Sequence, residues 1–403
     1  MSLQNEKILI NPFRMKLDSI RYPLNTFRVS LFSFLSLFPI LYYLTNLYRM
    51  TDHSAVPYIV MTVVAGCVGI FLFFFGKSIK KRFLIFVYVT YIATLFLNII
   101  IIENVQFIDL ITDTLLFGIT VVMFAFPHSY SQGVLFFGLS LLPFLFSSFT
   151  GSETHYVLTS SGNYISVLMI LSMSIFYIGL NNEKRELKWF DIIPAFICFL
   201  LAVWAKGRGG ILSCGFLLVM MLLVYMQGVL QKKIRRWLLF WAMLFLACMI
   251  ILISDIAILD NITNLGKWGS RGMDNTPRLE LWSGYFTKMN QSFVYALMGV
   301  PLFEVASIHA IGDNPHNSFI YLHATNGLFT SIIFMLLLCW SCIYHFHKKQ
   351  FVLLVLTMTI VLRGMTDKFI FGQYGMPIFL YLVLYPFVHK MFQRNKTDDK
   401  VLR

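Results

Sequence analysis

Charge is scarce in this sequence. Only 13% of its residues are Asp, Glu, Lys or Arg, whereas a soluble globular domain carries about 25%. Hydrophobic residues make up 58% of the 403 residues, and the mean hydropathy is +0.73. A chain of this composition cannot bury so much apolar surface by folding in water alone. We therefore expect an integral membrane protein.

Several catalytic and metal-binding patterns are also missing. There is no Walker motif, no GxSxG elbow and no Asp-rich box for a metal-bound nucleotide sugar. The six cysteines lie inside apolar runs, and none is spaced with a histidine for a metal. We expect no disulfide framework, no metal and no cofactor. The first 27 residues are polar and basic, so no cleaved signal peptide is expected.

Apolar runs of about 20 residues, the length that crosses a bilayer, are abundant instead. Twelve predicted spans lie near residues 28–46, 57–76, 83–103, 108–126, 133–149, 164–181, 190–205, 209–230, 237–254, 317–345, 351–363 and 376–393. The predicted fold is an all-α polytopic membrane protein with about twelve transmembrane helices. It forms one integral membrane domain over residues 1–403, with both termini on the same side.

The distribution of basic residues orients these spans. With the N-terminus in the cytoplasm, inner segments such as 77–82 (KSIKKR) and 231–236 (QKKIRR) hold 23 of the 32 Lys and Arg residues. The outer segments hold nine. This asymmetry follows the positive-inside rule, which accounts for the net charge of +13 without nucleic acid as a partner. The long outer segment, 255–315, is predicted to form a polar loop with short helices.

Two outer basic residues lie in the turn AKGRGGIL between the seventh and eighth spans. Basic residues on the depleted side, next to apolar spans, are functional candidates. Glycines let a ligand approach the backbone, and an arginine fork matches phosphate oxygens. Lys206 and Arg208 are therefore predicted to bind an anion, although a helical hairpin capped by charge is the alternative. Arg49 is interpreted as a residue that snorkels at a helix end.

Two further arginines lie in the long loop, within SRGMDNTPRLELW. Thr276 and Pro277 are typical of a helix start. Arg278 would then stand at a helix N-terminus, where backbone N–H groups also favour an anion. Arg271 is the second loop candidate, with simple solvation as its alternative.

The stretch DNPHNSFIYLHATNGLFT places polar residues at the outer end of the tenth span. His316 is the candidate general base, because a neutral imidazole can accept a proton from a hydroxyl near neutral pH. A helix cap is its alternative. Asn317 is expected to orient or cap, and His323, about two turns deeper, to be a buried partner. Arg363 and Asp367, four residues apart in the last outer segment, are predicted to pair with each other.

These residues resemble the bacterial O-antigen polymerase and O-antigen ligase family. His316-Asn317, nine residues, Gly327, two residues and Thr330 are similar to the ligase pattern H-[NSQ]-x9-GxxG, with Thr330 in place of the last glycine. GRGGIL and RLELW are similar to the corresponding outer segments of the family. The motifs cover roughly residues 200–330, and the topology covers the whole chain.

The resemblance implies a metal-independent, inverting glycosyltransferase with a GT-C-like fold and a periplasmic active site in the bacterial inner membrane. The donor would be an oligosaccharide on undecaprenyl diphosphate held in the lipid bilayer, and a chain-length regulator is a candidate partner. DNPHNSFIYLHATNGL, GRGGIL and Thr330 favour the polymerase. One alternative is an O-antigen ligase. A flippase or transporter of lipid-linked sugars is less favoured, because the charged residues lie at one face and not deep within several spans.

Overall fold

The computed structural model describes residues 34–50, 55–75, 81–103, 105–150, 163–205, 207–229 and 276–401. Within these ranges the regular structure is helical. The longer α-helices are α1 (Phe38–Met50), α2 (Val56–Phe75), α3 (Lys81–Ile101), α4 (Phe107–Ala125), α5 (Tyr130–Thr150), α6 (Asn163–Asn182), α7 (Ile193–Trp204) and α8 (Arg208–Val229). They continue with α9 (Thr276–Met289), α10 (Phe293–Met298), α11 (Ala306–His309), α12 (Ser318–His347), α13 (Phe351–Gly364) and α14 (Met376–Val401).

Six of these helices are long and apolar enough to cross a membrane, namely α2, α3, α4, α6, α8 and α12. Shorter apolar helices lie at 130–145, 189–204, 351–364 and 376–388. The prediction of a helical membrane protein is confirmed at this level. Each predicted span from the second to the eighth, and from the tenth to the twelfth, coincides with a helix. The first, 28–46, overlaps α1, and the ninth, 237–254, lies outside the described residues.

Helix α6 and the apolar part of α14 form the centre of the bundle. Almost every side chain of α6 from Ile165 to Leu180 is buried, as are those of α14 from Met376 to Tyr385. By contrast, α2 presents Phe71, Phe74 and Phe75 to its surroundings. A helix that is apolar all round and buried on one side only is suited to lipid contact on the other.

The described part of the predicted outer loop folds into short helices that pack on one another. A second apolar core joins Leu281 and Tyr285 of α9 to Val305 and Ile308 near α11, and to Ile320 of α12. The loop segment is therefore fastened to the N-terminal end of α12 by apolar packing.

Helix α12 is broken within its length. Gly327 has φ 74° and ψ −177°, a conformation that favours glycine. It lies so close to the backbone of Leu297 and Met298 that an added Cβ would overlap it. Asn98 of α3 bridges the break, because its amide donates to the carbonyls of Met298 and Ala324, each at 3.0 Å. The break therefore lies where the loop segment, α12 and α3 contact one another.

Candidate functional site

The turn 364–375, between α13 and α14, joins the start of α12. The Ser318 hydroxyl donates to the Asp367 carbonyl at 2.8 Å. The same oxygen accepts from the backbone N–H groups of Phe369 and Ile370, at 3.0 and 3.2 Å. Ser318 is completely buried. These bonds hold the first turn of α12 against the turn that carries Asp367.

Asp367 lies between two basic side chains. Arg363 Nη2 donates to Asp367 Oδ2 at 2.9 Å, and His316 Nδ1 lies 3.6 Å from Asp367 Oδ1. Burial alone raises the pKa of Asp367, but the nearby His316 ring and the charge of Arg363 outweigh burial and lower this pKa to about 2. The predicted Arg363–Asp367 pair is present, and the structure adds His316 to it. Asp367 is therefore ionised at neutral pH.

His316 faces its surroundings on one side and Asp367 on the other. Its side chain is 37% exposed, and its backbone has φ 47°. The Asn314 side chain accepts the His316 backbone N–H at 2.9 Å. Asn317 caps α12, since its Oδ1 accepts from Phe319 N at 2.9 Å and Ile320 N at 3.1 Å. A histidine with one ring nitrogen beside a carboxylate and an exposed edge has the arrangement of an oriented general base.

The GRGG turn lies directly beside Arg363. A Cβ on Gly209 would be 2.6 Å from Thr366 Oγ1 and 3.5 Å from Arg363 Nη1. Only glycine allows this approach, which brings the first turn of α8 and its Arg208 next to the Arg363–Asp367 pair. Arg363 also donates to Thr366 Oγ1 at 2.9 Å. Arg363 is almost fully buried.

Arg278, in the first turn of α9, completes the basic group. The helix begins at Thr276 with Pro277 in its first turn, as predicted. Burial lowers the pKa of Arg278, as do the charges of Arg363 and Arg208, whereas Asp367 raises it. The predicted candidates Arg208 and Arg278 are thus electrostatic neighbours. We call Arg208, Arg278, Arg363, Asp367 and His316 together the arginine site.

Two further groups near this site, Tyr374 and Arg49, were not predicted from the sequence to lie there. Burial raises the pKa of Tyr374, and the charges of Arg363 and Arg49 lower it, so both arginines lie near this phenol. Arg49 itself lies over the Tyr58 ring, 4.4 Å from its centroid. The Tyr374 hydroxyl is buried without a hydrogen-bond partner among the described residues. Arg49 is one of the nine basic residues in the predicted outer segments, so its charge marked it as unusual. Because it stands alone in the sequence, its proximity to Tyr374 could not be predicted.

The remaining predicted residues lie elsewhere. His323 accepts or donates through both ring nitrogens, with the Tyr285 hydroxyl at 2.6 Å and the Ala296 carbonyl at 2.9 Å. It fastens the loop segment to α12 and contacts none of the arginine site. Lys206 and Arg271 lie outside the described residues. In the described ranges, no group of three or more His, Cys, Asp and Glu side chains is arranged to hold a metal ion.

The arginine site combines an excess of positive charge with one oriented imidazole. Arg278 lies within reach of the charges of Arg208, Arg363 and Asp367, and Arg363 and Arg49 both act on Tyr374. Such a group suits a multiply charged anion, since guanidinium groups bind phosphate oxygens in pairs. No protein-family model, curated protein or solved structure matches the chain.

Proposed function

We propose that the protein is an O-antigen polymerase, which joins undecaprenyl-diphosphate-linked oligosaccharide repeat units at the outer face of a bacterial inner membrane. One observation carries the proposal: arginines from α8, α9 and α13 are electrostatic neighbours, and one of them, Arg363, shares the carboxylate of Asp367 with His316. A twelve-span topology, a GT-C-like fold and a periplasmic site are part of this proposal.

The arginines would hold the donor's diphosphate. As the bond between the anomeric carbon and the diphosphate oxygen breaks, its electron pair passes to that oxygen and negative charge grows there. Fixed guanidinium groups aimed at this oxygen stabilise the charge without reorganising. Arg208 and Arg278 are only partly exposed, so water screens them less than it would on an open surface.

His316 would accept the proton of the acceptor hydroxyl. The hydroxyl oxygen then forms the new bond to the anomeric carbon on the face opposite the diphosphate, which inverts that centre. The proton resides on the imidazole until it returns to solvent. Asp367 would orient the ring and stabilise its charged form, since its carboxylate lies 3.6 Å from His316 Nδ1.

The polymerase is favoured over the ligase by position 330. The ligase pattern has glycine there, whereas Thr330 shares a hydrogen bond of 2.7 Å with Thr94 of α3. The side chain therefore takes part in packing α12 against α3. Gly327, the glycine that this chain shares with the pattern, is the residue at which α12 is broken.

The decisive experiment is deletion of the gene, followed by gel analysis of the lipopolysaccharide. Core carrying a single repeat unit supports the polymerase, bare core indicates the ligase, and an unchanged ladder contradicts both. Purified protein with lipid-linked repeat units then tests the base. We expect His316→Ala to reduce chain formation about 10²–10⁴-fold. His309→Ala is the matched control, because His309 is an exposed histidine paired with Asp313.

A further inference from the structure

A second polar group lies across the turn 364–375 from the arginine site. Asp367 faces the arginines, and the next residue, Lys368, extends towards Asp113 of α4 and Tyr321 of α12. Asp109, one turn before Asp113, and Asp313 also act on the Lys368 ammonium. We call Asp109, Asp113, Asp313, Tyr321 and Lys368 together the acidic pocket.

Asp113 has an unused carboxylate oxygen. The residue is 3% exposed. Its Oδ2 accepts a hydrogen bond from the Tyr91 hydroxyl at 2.7 Å. Its Oδ1 has no hydrogen-bond partner among the described residues. A buried carboxylate oxygen left without a donor destabilises the fold, so such an atom requires an explanation.

Gly372 and Tyr321 lie on the side of Asp113 that carries this oxygen. Gly372 has φ 64°, and a Cβ added there would lie 3.6 Å from Asp113 Oδ1, 3.6 Å from the Tyr321 hydroxyl and 3.5 Å from Tyr321 Cε1. Because position 372 is glycine, no side chain of this residue separates the carboxylate oxygen from the phenol. Both groups hydrogen-bond hydroxyl groups.

Lys368 closes the pocket without an ion pair. Its Nζ lies 3.6 Å from the Tyr321 ring centroid, and within the described ranges it has no carboxylate within 4.0 Å. Burial lowers the pKa of Lys368 to about 8, although Asp109, Asp113 and Asp313 raise it. A four-carbon arm held only by a ring face can move aside and can donate to an oxygen of a ligand.

The charges of the two groups differ in sign. The acidic pocket has three carboxylates around one amine, whereas the arginine site has an excess of guanidinium groups. A diphosphate is attracted to the arginine site and repelled by the pocket. A neutral polyol pays no such penalty in the pocket, and a carboxylate next to a phenol is well suited to its hydroxyls.

We infer that the acidic pocket is the subsite for a hydroxyl-bearing sugar of the acceptor, with Asp113 Oδ1 accepting a hydrogen bond from that sugar. This inference rests on the proposed function, because it takes the arginine site to be occupied by the donor. Asp367 and Lys368, adjacent in sequence, would then keep the donor diphosphate and the acceptor sugar on opposite sides of one turn. Asp113 and Tyr321 would be acceptor-binding residues.

The test uses the full-length protein in lipid nanodiscs with lipid-linked repeat units from the deletion strain. Free oligosaccharide, released from the same lipid by mild acid, serves as a soluble acceptor of variable concentration. We expect Asp113→Asn and Tyr321→Phe each to raise the KM for this acceptor about tenfold. Inhibition by added undecaprenyl diphosphate should stay as in the wild type. Glu304→Gln is the control for loss of a carboxylate outside the pocket, and Tyr295→Phe is the control for loss of a phenol outside the pocket.

An unchanged acceptor KM in both pocket variants would overturn the subsite. The subsite would also be overturned if the variants bound undecaprenyl diphosphate as much more weakly as they bound the acceptor. If Asp113→Asn does not yield folded protein, the KM of Tyr321→Phe tests the subsite. This variant should fold, since the Tyr321 hydroxyl makes no hydrogen bond within the described structure. A wild-type protein that makes no chains and releases no undecaprenyl diphosphate would overturn the proposed function and the subsite together. An active wild type together with pocket variants whose acceptor KM is unchanged would overturn the subsite alone.

Discussion

His316 Nδ1 lies 3.6 Å from the carboxylate of Asp367, although the two residues are 51 positions apart in the sequence, one before α12 and the other after α13. Their approach depends on Ser318, which ties the first turn of α12 to the Asp367 carbonyl and to the backbone N–H groups of Phe369 and Ile370. Arg363 holds the same carboxylate from the other side at 2.9 Å. A chain of three side chains therefore connects the end of α13 with the start of α12.

Acid should weaken this connection. The pKa of Asp367 is about 2, below its ordinary value of 3.8. A lowered carboxylate pKa contributes stability above the ordinary value and loses it as the pH falls towards the folded-state value. We expect thermal unfolding in detergent to show a contribution of about 2 kcal/mol that disappears between about pH 4 and pH 2. Asp367→Asn should lower the melting temperature at pH 6 and flatten this part of the pH profile, unlike Asp313→Asn.

Loss of either partly exposed arginine should stop chain formation without unfolding the protein. Arg208→Ala and Arg278→Ala each remove a fork from the proposed diphosphate site, and lysine should replace them poorly because it lacks the planar pair of donors. The measurement is polymer length on a lipopolysaccharide gel, with membrane insertion checked by immunoblot. Lys288→Ala is the matched control in α9, since Lys288 pairs with Glu304 at 2.9 Å away from the site. Normal chains from both arginine variants would remove the diphosphate-binding role.

Most of the helical architecture was predictable because apolar length determines it. Runs of about 20 residues without charge have few alternatives to a membrane helix. The break in α12 was not predictable, since the run from 317 to 345 is continuous in composition. Gly327 departs from helical geometry because the backbone of Leu297 and Met298 lies against it, a contact between parts of the chain that composition cannot relate.

The arginine site was predictable residue by residue but not as a whole. Arg208, Arg278 and His316 stood out because they are polar groups on the side that is poor in charge. Their closeness depends on Gly209 against Thr366, which is a packing contact. Asp113 was missed for the opposite reason. Asp109 and Asp113, one turn apart in an apolar run, match no catalytic motif, and only Tyr91 and Gly372 around Asp113 mark it as unusual.

Topology reporters test the orientation on which the proposed site depends. The split of basic residues predicts that fusions at 290–292, between α9 and α10, lie outside, and that fusions at 348–350, between α12 and α13, lie in the cytoplasm. Paired alkaline phosphatase and green fluorescent protein fusions should give opposite signals at the two positions. A cytoplasmic signal at 290–292 would contradict a periplasmic site. Fusions at 183–186, after α6, provide a second cytoplasmic reference.

The approach of α8 to α6 should be sensitive to a single methyl group. A Cβ on Gly210 would overlap the side chain of Ser166, whereas the next neighbour, the Ala202 Cβ, is 3.9 Å away. Overpacking of this kind costs about 1–3 kcal/mol, so Gly210→Ala should lower the melting temperature. Because the same turn carries Arg208, Gly210→Ala should also shorten the polysaccharide chains.

The double variant Gly210→Ala with Ser166→Gly opens the space again and should recover part of the lost stability and part of the lost chain length. Gly138→Ala is the control, because a Cβ there meets nothing within 4 Å and alanine favours the helix by about 1 kcal/mol. If the double variant is no better than Gly210→Ala, the contact with Ser166 does not position the turn.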